Sequence, residues 1–500
     1  MDVSIILDAS SPIALRQQVY TEIRAAILGG RFAPALRLPS SRSLADTLSV
    51  SRMTVTEAYE QLIAEGYLEP RRGSGTYVCA VLPESSMYTA PAFQNRPAAG
   101  PARESPVRFS RYGKELEGYL GNDRPAMRGV IRMDKLGPDL THFPVSLWSR
   151  LLARHSRTAK HELFEYSSDA RGHKPLRGAI AAYLRKARAV QCEWQQVILV
   201  NGSQQAVDLC ARILVDDGDV VAMESPGYLP AARVFAGLGA RILQIPVDEA
   251  GMNVSQLPAL GNGPDVPANG GIPKIVYVTP SHQFPTGASL SLPRRMALLN
   301  WATQNNALIL EDDYDSEYRY GGRPLPSLQG MVPDAPVLYI GTFSKTLFPG
   351  LRIGYAVLPE RLARVFASAK FMADRQGSSI EQCALADFLA EGHFERHIRR
   401  MRKLYGRRRT ILTEALRRHF GARVTIAGDD SGMHLYATFK VDLAENEAYR
   451  RALDAGVRVE RVPHALGATR NRAVPFVFGF AGLTDRSIRE GITRLAAALL

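Results

Sequence analysis

The sequence predicts an α/β protein of two domains, in which a small helix-rich region precedes a larger one built on a mostly parallel sheet. Three observations support this prediction. Short apolar runs alternate with helical patterns from about residue 111 onward, which is typical of a parallel sheet covered by helices. Residues 1–79 contain helical patterns and end in a short strand pattern. A stretch rich in proline and alanine separates the two regions.

The composition is that of an ordinary globular protein, and the unusual quantity is the charge. Apolar residues make up 46% and charged residues 22% of the 500 residues, and the formal net charge is +13. No apolar run reaches the ~18 residues of a membrane-spanning helix, and we expect no secretory signal and no membrane partner. The four cysteines are scattered without a CxxC pair. We therefore expect neither a disulfide framework nor a metal site, and a cytoplasmic location.

The positive charge is distributed unevenly along the chain. Residues 1–80 contain eight Arg, no Lys and eight acidic residues, so their net charge is zero. Residues 361–420 contain fourteen Lys or Arg and six acidic residues, which leaves a surplus of +8. Net charge alone therefore does not identify the region that binds nucleic acid.

The first domain, residues 1–79, is predicted to begin with an amphipathic helix. Ser11 with Pro12 is a potential helix start. Residues 13–28 then repeat an apolar side chain at every fourth position from Val19, which predicts one buried helix face.

The next segments predict helix-turn-helix geometry followed by a hairpin. LPSSRSLADTLSV (38–50) and SRMTVTEAYEQLIAEG (51–66) each contain serines that can cap a short helix, with a tight turn between the helices. YLEPRRGSGTYV (67–78) predicts two strands around a glycine-rich tip. The geometry alone leaves open a helical domain that packs only against its own protein.

These segments resemble the winged helix-turn-helix of the GntR family of bacterial regulators. The resemblance rests on LPSxRxLA, SRxTVxxAxxxLxxxG and GxGT(Y/F)V, which follow one another in this sequence. It implies that double-stranded operator DNA is contacted from the two helices and the wing. The candidate DNA contacts are Arg37, Ser41, Arg42, Ser51, Arg52, Thr54, Arg71, Arg72, Gly73 and Gly75.

Residues 80–110 are predicted to be a linker and residues 111–500 a second domain. The stretch 80–108 contains five Pro and six Ala and no apolar period. The apolar runs that predict buried strands beyond it are QVILV (196–200), DVVAM (219–223), KIVYV (274–278), ALILE (307–311) and VLYIG (337–341).

Segments that can carry chemistry follow three of these runs. They are SHQFPTG (281–287), EDDYDSEY (311–318) and GTFSKTLFPGLRIGY (341–355). Because ligands of open α/β sheets bind outside the carboxyl ends of the strands, we expect the three segments to converge.

The segment around Lys345 is typical of a Schiff-base lysine beside a phosphate. Thr342, Ser344 and Arg352 can hold the phosphate while the amine condenses with an aldehyde. Ser203, at the start of a predicted helix, offers a further phosphate contact.

A pyridine ring that withdraws electrons needs an acidic residue at its nitrogen, and Asp312 is suited to that role. Two alternatives stand beside this interpretation. Lys345 can be an ordinary surface amine. The carboxylates of residues 311, 312, 313 and 315 can form a magnesium site, although alternate residues of an extended strand point apart.

Taken together, residues 130–500 resemble the fold-type I aminotransferases, which use pyridoxal 5′-phosphate (PLP). The resemblance implies a large subdomain with a mostly parallel sheet and a smaller C-terminal α+β subdomain. It implies that Lys345 forms the internal aldimine, Asp312 pairs with the pyridine nitrogen, and Tyr314 binds the 3′ oxygen. Tyr228 would stack on the ring. The phosphate contacts implied are Ser203, Gln204, Thr342, Ser344 and Arg352, with Tyr166 reaching the phosphate of the partner subunit.

Two positions depart from the aminotransferase pattern. Phe284 stands where these enzymes have an Asn immediately before PTG, which removes one hydrogen bond to the ring oxygen. Val477 stands where they often have the Arg that binds the substrate α-carboxylate. The remaining candidate effector contacts are Arg233, Arg458, Arg461 and Arg472.

A GntR-like winged helix, a linker and an aminotransferase-like domain in one chain are identified as the arrangement of the MocR subfamily of GntR regulators. The resemblance implies a PLP-dependent transcription factor that forms a head-to-tail, domain-swapped homodimer. PLP itself, or a small amine or amino acid that condenses with it, would be the effector. The alternatives are an active aminotransferase with an accessory DNA-binding domain, and a large domain that is only a dimerisation scaffold.

The segment HFERHIRRMRKLYGRRR (393–409) contributes much of the surplus charge. Helical spacing predicts that Ile398, Met401 and Tyr405 face inward while the Arg cluster faces outward. The outer face is then either a solvated or intersubunit surface, or an auxiliary contact with DNA.

Overall fold

The chain folds into two compact units, Met1–Val107 and Arg108–Leu500. The computed structural model describes residues 5, 7–8, 11, 13–71, 73–82, 108–117, 129–159, 161–167, 169–258, 271–321, 325–428, 430–462 and 473–500. Most of the predicted linker, with Pro12, Arg72 and Arg472, lies outside the described residues.

The N-terminal unit is a winged helix-turn-helix, as predicted. Its elements are the helices α1 (Leu15–Leu28), α2 (Ser41–Leu48) and α3 (Arg52–Ala64) and the strands β1 (Leu68–Arg71) and β2 (Gly75–Val78). β1 and β2 pair antiparallel and form the wing. The start of α1 was predicted wrongly: the helix begins after Ala14, and Ser11 instead accepts a hydrogen bond from the amide of Ile13.

Serine caps and one apolar core hold the helices of this unit. Ser40 Oγ accepts from Ser43 N at the start of α2, and Ser51 Oγ accepts from Thr54 N at 3.1 Å at the start of α3. Ser49 adopts a left-handed conformation with φ of 53° and forms the turn between them. The buried residues that hold α1, α2, α3 and the wing together include Val19, Ile23, Ile27, Leu44, Val55, Ala58, Leu62 and Val78.

An eight-stranded sheet forms the centre of the C-terminal unit. Its strands are β4 (Val197–Val200), β5 (Val220–Ser225), β6 (Arg241–Asp248), β7 (Gly251–Met252), β8 (Ile275–Val278), β9 (Leu308–Asp313), β10 (Val337–Thr342) and β11 (Gly354–Val357). They lie in the order β4-β11-β10-β9-β8-β5-β6-β7. The five neighbours from β10 to β6 run parallel, and β11 runs antiparallel to both β10 and β4. The mostly parallel sheet and all five predicted strands are confirmed.

Helices cover both faces of this sheet. The helices before it and around it are α4 (Arg111–Leu116), α5 (Val145–Thr158), α6 (Lys174–Arg188), α7 (Ser203–Leu214), α8 (Leu229–Gly237), α9 (Leu292–Gln304), α10 (Glu360–Asp374) and α11 (Ser379–Ala390). Leu310 of β9 packs with residues of α7, α8 and α10, while its neighbour Ile309 packs with residues of α9. The period of two along a buried strand thus separates two cores.

A smaller α+β subdomain completes the unit. Its sheet has the order β12 (Val424–Ala427), β13 (His434–Lys440), β16 (Ala473–Gly479), β15 (Glu460–Arg461), and β14 (Val457–Arg458) pairs separately with β3 (Ile131–Arg132). The helices here are α12 (His393–Phe420), α13 (Glu445–Asp454) and α14 (Asp485–Leu499). Among the described residues, no helix is long and apolar enough to cross a membrane.

The Arg-rich segment is the first half of α12. Ile398, Met401 and Tyr405 are buried, as predicted. The expectation that the whole Arg cluster faces outward was wrong at Arg408. This side chain is 5% exposed, and its Nη1 lies 2.7 Å from Asp139 Oδ2. Position 408 lies one helical turn after Tyr405, so it belongs to the inner face.

Candidate functional site

The three segments predicted to converge begin at one edge of the large sheet. β8, β9 and β10 are neighbours and parallel, so the loops that follow them leave the sheet on the same side. These loops carry His282 and Phe284, Tyr314, and Lys345. The carboxyl edge of the sheet is therefore where the candidate site is built.

Lys345 lies inside this edge with its amine held in place. Its Nζ donates a hydrogen bond to the carbonyl oxygen of Leu136 at 2.7 Å. Burial lowers the pKa of Lys345, while the charges of Asp315 and Asp312 oppose that shift. A lowered pKa increases the fraction of neutral amine, which is the form that attacks a carbonyl carbon.

Asp312, at the end of β9, has one carboxylate oxygen bound and one free for a ligand. Its Oδ2 accepts from Tyr277 Oη at 2.7 Å. Its Oδ1 is buried and has no hydrogen-bond partner among the described residues. Burial raises the pKa of Asp312 to about 6, and the hydrogen bond from Tyr277 limits that rise. An unpaired buried acceptor is costly, so this atom fits a ligand that donates an N–H to it.

The neighbouring carboxylates are turned to other partners, which argues against a shared magnesium site. Glu311 accepts from the amides of residues 328 and 329. Asp313 Oδ2 lies 2.8 Å from Arg188 Nε. Asp315 contacts His282. The alternation of the strand thus turns Glu311 and Asp313 away from Asp312, and Asp315, beyond the strand, is paired with His282.

The opening of α7 forms one side of a potential anion site. Gly202 precedes the helix with φ of +90°, and a Cβ at this position would lie 3.0 Å from Nη2 of Arg352. Glycine is therefore needed for the close approach of the guanidinium to the helix start. Ser203 and Gln204 are the first helical residues, where backbone amides lack intrahelical acceptors.

The loop after β10 contributes hydroxyl groups to the same edge. Thr342 Oγ1 accepts from the amide of Ser344 at 3.2 Å. Ser344 Oγ is buried without a hydrogen-bond partner in the part of the chain that the structure describes. Like Asp312 Oδ1, it is a buried polar atom that is available to a ligand.

Three aromatic residues of the candidate site make contacts around these groups. Tyr228 Oη donates to Gln204 Oε1 at 3.2 Å, and its ring meets the Phe284 ring edge to face at 5.9 Å. Phe284, which replaces the expected Asn, therefore packs against Tyr228 and, at 5.7 Å, against His434. Tyr314 Oη donates to the carbonyl of His282 at 2.9 Å.

Sequence reasoning missed a buried cluster beneath these residues. His282 Nδ1 lies 3.0 Å from Asp315 Oδ1, and the His282 and His434 rings are 4.5 Å apart. Potential ligand atoms of His282, Asp315 and His434 all lie within 4.8 Å of one another. Burial lowers the pKa of His434 to about 3, so its ring is neutral, and it bonds the carbonyl of Pro285 at 3.1 Å. These hydrogen bonds tie the cluster to the loop after β8, while His282 Nε2 is buried without a hydrogen-bond partner among the described residues. The His in SHQFPTG was a signal that could have indicated it.

Tyr277 was also missed, because it lies inside a strand rather than after one. It points from β8 toward Asp312 of the adjacent strand, and no motif marks it. The available signal was a tyrosine within an otherwise aliphatic buried strand.

For three other predicted residues the described contacts are with protein groups other than Lys345. Tyr166 is 74% exposed and its ring stacks with Arg375 at 5.4 Å. Arg458 is buried with its Nε 3.7 Å from Asp134, and Arg461 stacks on Tyr449 at 4.8 Å.

The two remaining positions that the sequence singled out, Arg233 and Val477, are on α8 and β16. Arg233 is half-buried on α8. Val477 is buried in β16, where it pairs with Tyr436 and Glu460.

The predicted DNA contacts at the helix starts are exposed in the N-terminal unit. Arg42 and Arg52 project at the starts of α2 and α3, and Ser41 is half-buried beside them. Ser51 Oγ and Thr54 Oγ1 lie 2.8 Å apart, so both hydroxyls take part in the cap of α3.

The wing residues form a second exposed group. Gly73 and Gly75 form the tip with φ of +71° and +121°. Arg37 lies beside Gly75, its Nε 3.1 Å from where a Cβ would be. Arg71 binds Glu69 and stacks on Tyr77 at 4.4 Å.

The donor set at the carboxyl edge fits PLP. A lysine amine with lowered pKa fits the aldehyde, the free oxygen of Asp312 fits the ring nitrogen, and Ser344 with the Gly202–Arg352 opening fits the phosphate.

Comparisons with known proteins agree with both units. Residues 15–78 match the family "Bacterial regulatory proteins, gntR family", and residues 141–495 match "Aminotransferase class I and II". The chain is 38% identical to the probable rhizopine catabolism regulatory protein MocR of Rhizobium meliloti, covering 99% of this chain and 96% of that one. It is 32% identical to the pyridoxine biosynthesis regulator PdxR of Corynebacterium glutamicum, covering 100% and 99%.

A solved aminotransferase matches the C-terminal unit. It is the α-aminoadipate aminotransferase LysN of Thermus thermophilus, bound to N-(5′-phosphopyridoxyl)-L-leucine. The TM-score is 0.67 at 28% identity, covering 77% of this chain and 96% of that one. The two regulators align with almost the whole of this chain, and this chain covers almost the whole of each of them. This protein therefore belongs to the MocR-like regulators of the gntR family, in which a winged helix is joined to a PLP-binding aminotransferase-like unit.

Proposed function

We propose that this chain binds operator DNA through its winged helix and senses an amine or amino acid, or PLP itself, at the carboxyl edge of the large sheet. The observation that carries the proposal is the pair of buried, unpartnered atoms beside Lys345, Asp312 Oδ1 and Ser344 Oγ. A scaffold without a ligand would leave both of them unsatisfied at a cost of about 1–3 kcal/mol each.

The residues that would hold PLP divide by the part of the molecule they bind. Lys345 binds the aldehyde carbon, Asp312 the ring nitrogen and Tyr314 the 3′ oxygen. The phosphate would be held by Ser203, Gln204, Thr342, Ser344 and Arg352. When bound, PLP supplies a carbonyl that condenses with primary amines and a ring that withdraws electrons.

The protein groups supply positioning and proton control. Burial lowers the pKa of Lys345, so its Nζ exchanges a proton at lower pH than an exposed lysine. Phe284 and Tyr228 present apolar ring surface to the site. The apolar Val477 at the position of the usual carboxylate-binding Arg favours ligand sensing over efficient amino-acid transamination.

An effector changes DNA affinity only if it binds two arrangements of the protein with different affinity. The Arg residues proposed as its contacts are Arg233, Arg458, Arg461 and Arg472. A head-to-tail, domain-swapped homodimer would supply the partner subunit's Tyr166 to the phosphate. Because its proposed ligand is operator DNA, we propose that the protein is located in the cytoplasm, with the bacterial genome.

The test uses the full chain and a duplex from the region upstream of its own gene. We expect purified protein with PLP to show a visible absorption band that Lys345→Ala abolishes and Lys186→Ala, an exposed control on α6, preserves. We expect duplex affinity to change when PLP or an amine that reacts with it is added. A band that persists in Lys345→Ala contradicts the assignment. Multiple turnovers with amino donors at ~1–10³ per second would favour the aminotransferase alternative.

A further inference from the structure

A basic groove lies on the surface of α12 in the C-terminal unit. Its volume is about 420 Å³. It is lined by Arg319, Tyr320, Arg399, Arg402, Lys403, Gly406, Arg409 and Thr410. Five of these eight residues are cations and none is acidic, so the groove is suited to a polyanion.

The helix places these residues in one row. Residues 399, 402, 403, 406, 409 and 410 recur at intervals of three and four, which is one face of an α-helix. The next face, with Ile398, Met401 and Tyr405, is buried in the core of the unit. At 1.5 Å per residue, positions 399 to 409 extend over about 15 Å.

Contacts within the chain separate the groove from the other cations of the same helix. Arg407 pairs with Asp485 at 2.9 Å, and Arg408 pairs with Asp139. Arg399, Lys403 and Arg409 have no acidic partner among the described residues. Neutralising residues 407 to 409 together would therefore break two ion pairs of the fold and remove only one groove cation, so the effects could not be separated.

The remaining groove cations are held in place, and only one of them is neutralised. Arg402 donates through Nε and Nη2 to the carbonyl of Glu317 at 2.9 and 2.7 Å, which orients its guanidinium without removing its charge. Arg319 lies 2.9 Å from Asp430. Like charges held side by side repel one another, and an anion that binds between them relieves the repulsion.

The floor of the groove is formed by Tyr320. A Cβ at Gly406 would lie 3.3 Å from Cδ1 of Tyr320, so the glycine allows the ring to lie close to the helix. Tyr320 Oη donates to the carbonyl of Gly432 at 2.6 Å. Arg409 lies over the ring at 5.3 Å, and its buried Nε has no acceptor in the described chain. The groove is thus shaped before any ligand binds.

We infer that this groove binds the phosphate backbone of DNA, as a contact of the C-terminal unit that supplements the winged helix. The inference rests on the proposed DNA-binding function. Residues 1–80, which contain the winged helix, have a net charge of zero, while residues 361–420 have a surplus of +8. A row of about 15 Å matches roughly four phosphates of one strand at 3.4 Å of axial rise each. The groove therefore adds counterion-releasing charge to that of the exposed Arg residues of the winged helix.

The test compares two double variants of the full chain that remove the same charge. Arg399→Gln with Lys403→Gln removes two exposed groove cations. Arg361→Gln with Arg364→Gln removes two exposed cations of α10 as the control. Binding of a fluorescent duplex of mixed sequence is measured against salt concentration, and thermal unfolding confirms that each variant is folded.

We expect the magnitude of the salt slope of log K to fall by about 1.8 in the groove variant, at ~0.9 per phosphate contact, and to stay unchanged in the control. Equal slopes in the groove variant and the wild type would overturn the inference. A wild type that binds no duplex would instead overturn the proposed function.

A second arm distinguishes DNA from a small phosphate ligand. Triphosphate is titrated at constant ionic strength in the presence of the duplex. Competition that disappears in the groove variant supports a phosphate-binding groove on the DNA path. Triphosphate binding to the groove without any effect on the duplex would overturn the DNA assignment.

Discussion

At the scale of single residues, the strand β9 separates three adjacent carboxylates by alternation. Asp312 contacts Tyr277, whereas Glu311 and Asp313 bind backbone amides and Arg188 on the other face. The role proposed for Asp312 toward the ring nitrogen of PLP rests on this position in the strand. The state of its proton, however, depends on Tyr277, a residue of the neighbouring strand.

Tyr277→Phe is expected to raise the pKa of Asp312. Burial already raises it to about 6, and the phenol hydroxyl is what limits the rise. A pKa above that of the unfolded chain means that the protonated carboxyl stabilises the fold at low pH and that this stabilisation is lost as pH rises through about 6. The variant carboxyl stays protonated to higher pH, so it pairs poorly with a cationic ring nitrogen. We expect PLP affinity to fall by roughly tenfold near pH 6.5 and by less near pH 8.5.

The matched control is Tyr339→Phe. Tyr339 donates to Asp313 in the same way from the other neighbouring strand. This variant should lose stability through one lost buried hydrogen bond to Asp313 Oδ2, which keeps its contact with Arg188, while the pH dependence of PLP binding stays as in the wild type. A similar pH shift in both variants would contradict the specific role of Tyr277.

At the scale of elements, the loop after β8 rests on glycines that precede β13. A Cβ at Gly432 would lie 1.9 Å from Cε1 of His282, and its φ is +73°. Likewise, a Cβ at Gly287 would lie 2.5 Å from Cα of Gly428, so the two glycines allow their backbones to lie close together. The small subdomain therefore positions the loop that carries Phe284.

Gly432→Ala is expected to destabilise the C-terminal unit by about 3 kcal/mol or more, because it adds a clash with His282 to an unfavourable backbone conformation. Gly218→Ala is the control, since Gly218 of the same unit has φ of +88° but no atom within 4 Å of its Cβ position. That variant should lose only about 1–2 kcal/mol. Chemical denaturation of the full chain, followed in the C-terminal unit by tryptophan fluorescence, measures both. Equal losses would show that backbone strain alone limits this position.

At the scale of the whole molecule, Tyr166 is a predicted phosphate contact that has no contact with the candidate site of its own chain among the described contacts. It is 74% exposed, and in the single chain its ring contacts Arg375. This exposure is compatible with a role in the site of a partner subunit.

Tyr166→Phe is therefore expected to weaken PLP binding about tenfold, by the loss of one hydrogen bond to a charged phosphate, while sedimentation shows an unchanged dimer. Tyr436→Phe, in the small sheet, is the control and should bind PLP as the wild type does. A monomer in sedimentation, or equal PLP affinity of Tyr166→Phe and the wild type, would contradict the shared site.

Periodicity and motif order predicted much of this protein. The five apolar runs became strands, and the carboxyl edge gathered Lys345, Asp312 and Tyr314 because neighbouring parallel strands end on the same side of a sheet. Ser11 failed as a helix cap, because α1 begins only after Ala14 and no side chain caps it, and a few neighbouring letters do not fix where a helix starts.

The sequence by itself determined the two units, their order and the residue types at the candidate sites, since these depend on local patterns that repeat within one segment. Only the tertiary structure decided which side chains act together. It brought Tyr277 to Asp312, buried Arg408 against Asp139, which is 269 residues distant, and left the neighbouring cations in an open groove. Helical or strand spacing states which face a residue occupies. The partner on that face is set by long-range packing, which no local pattern encodes.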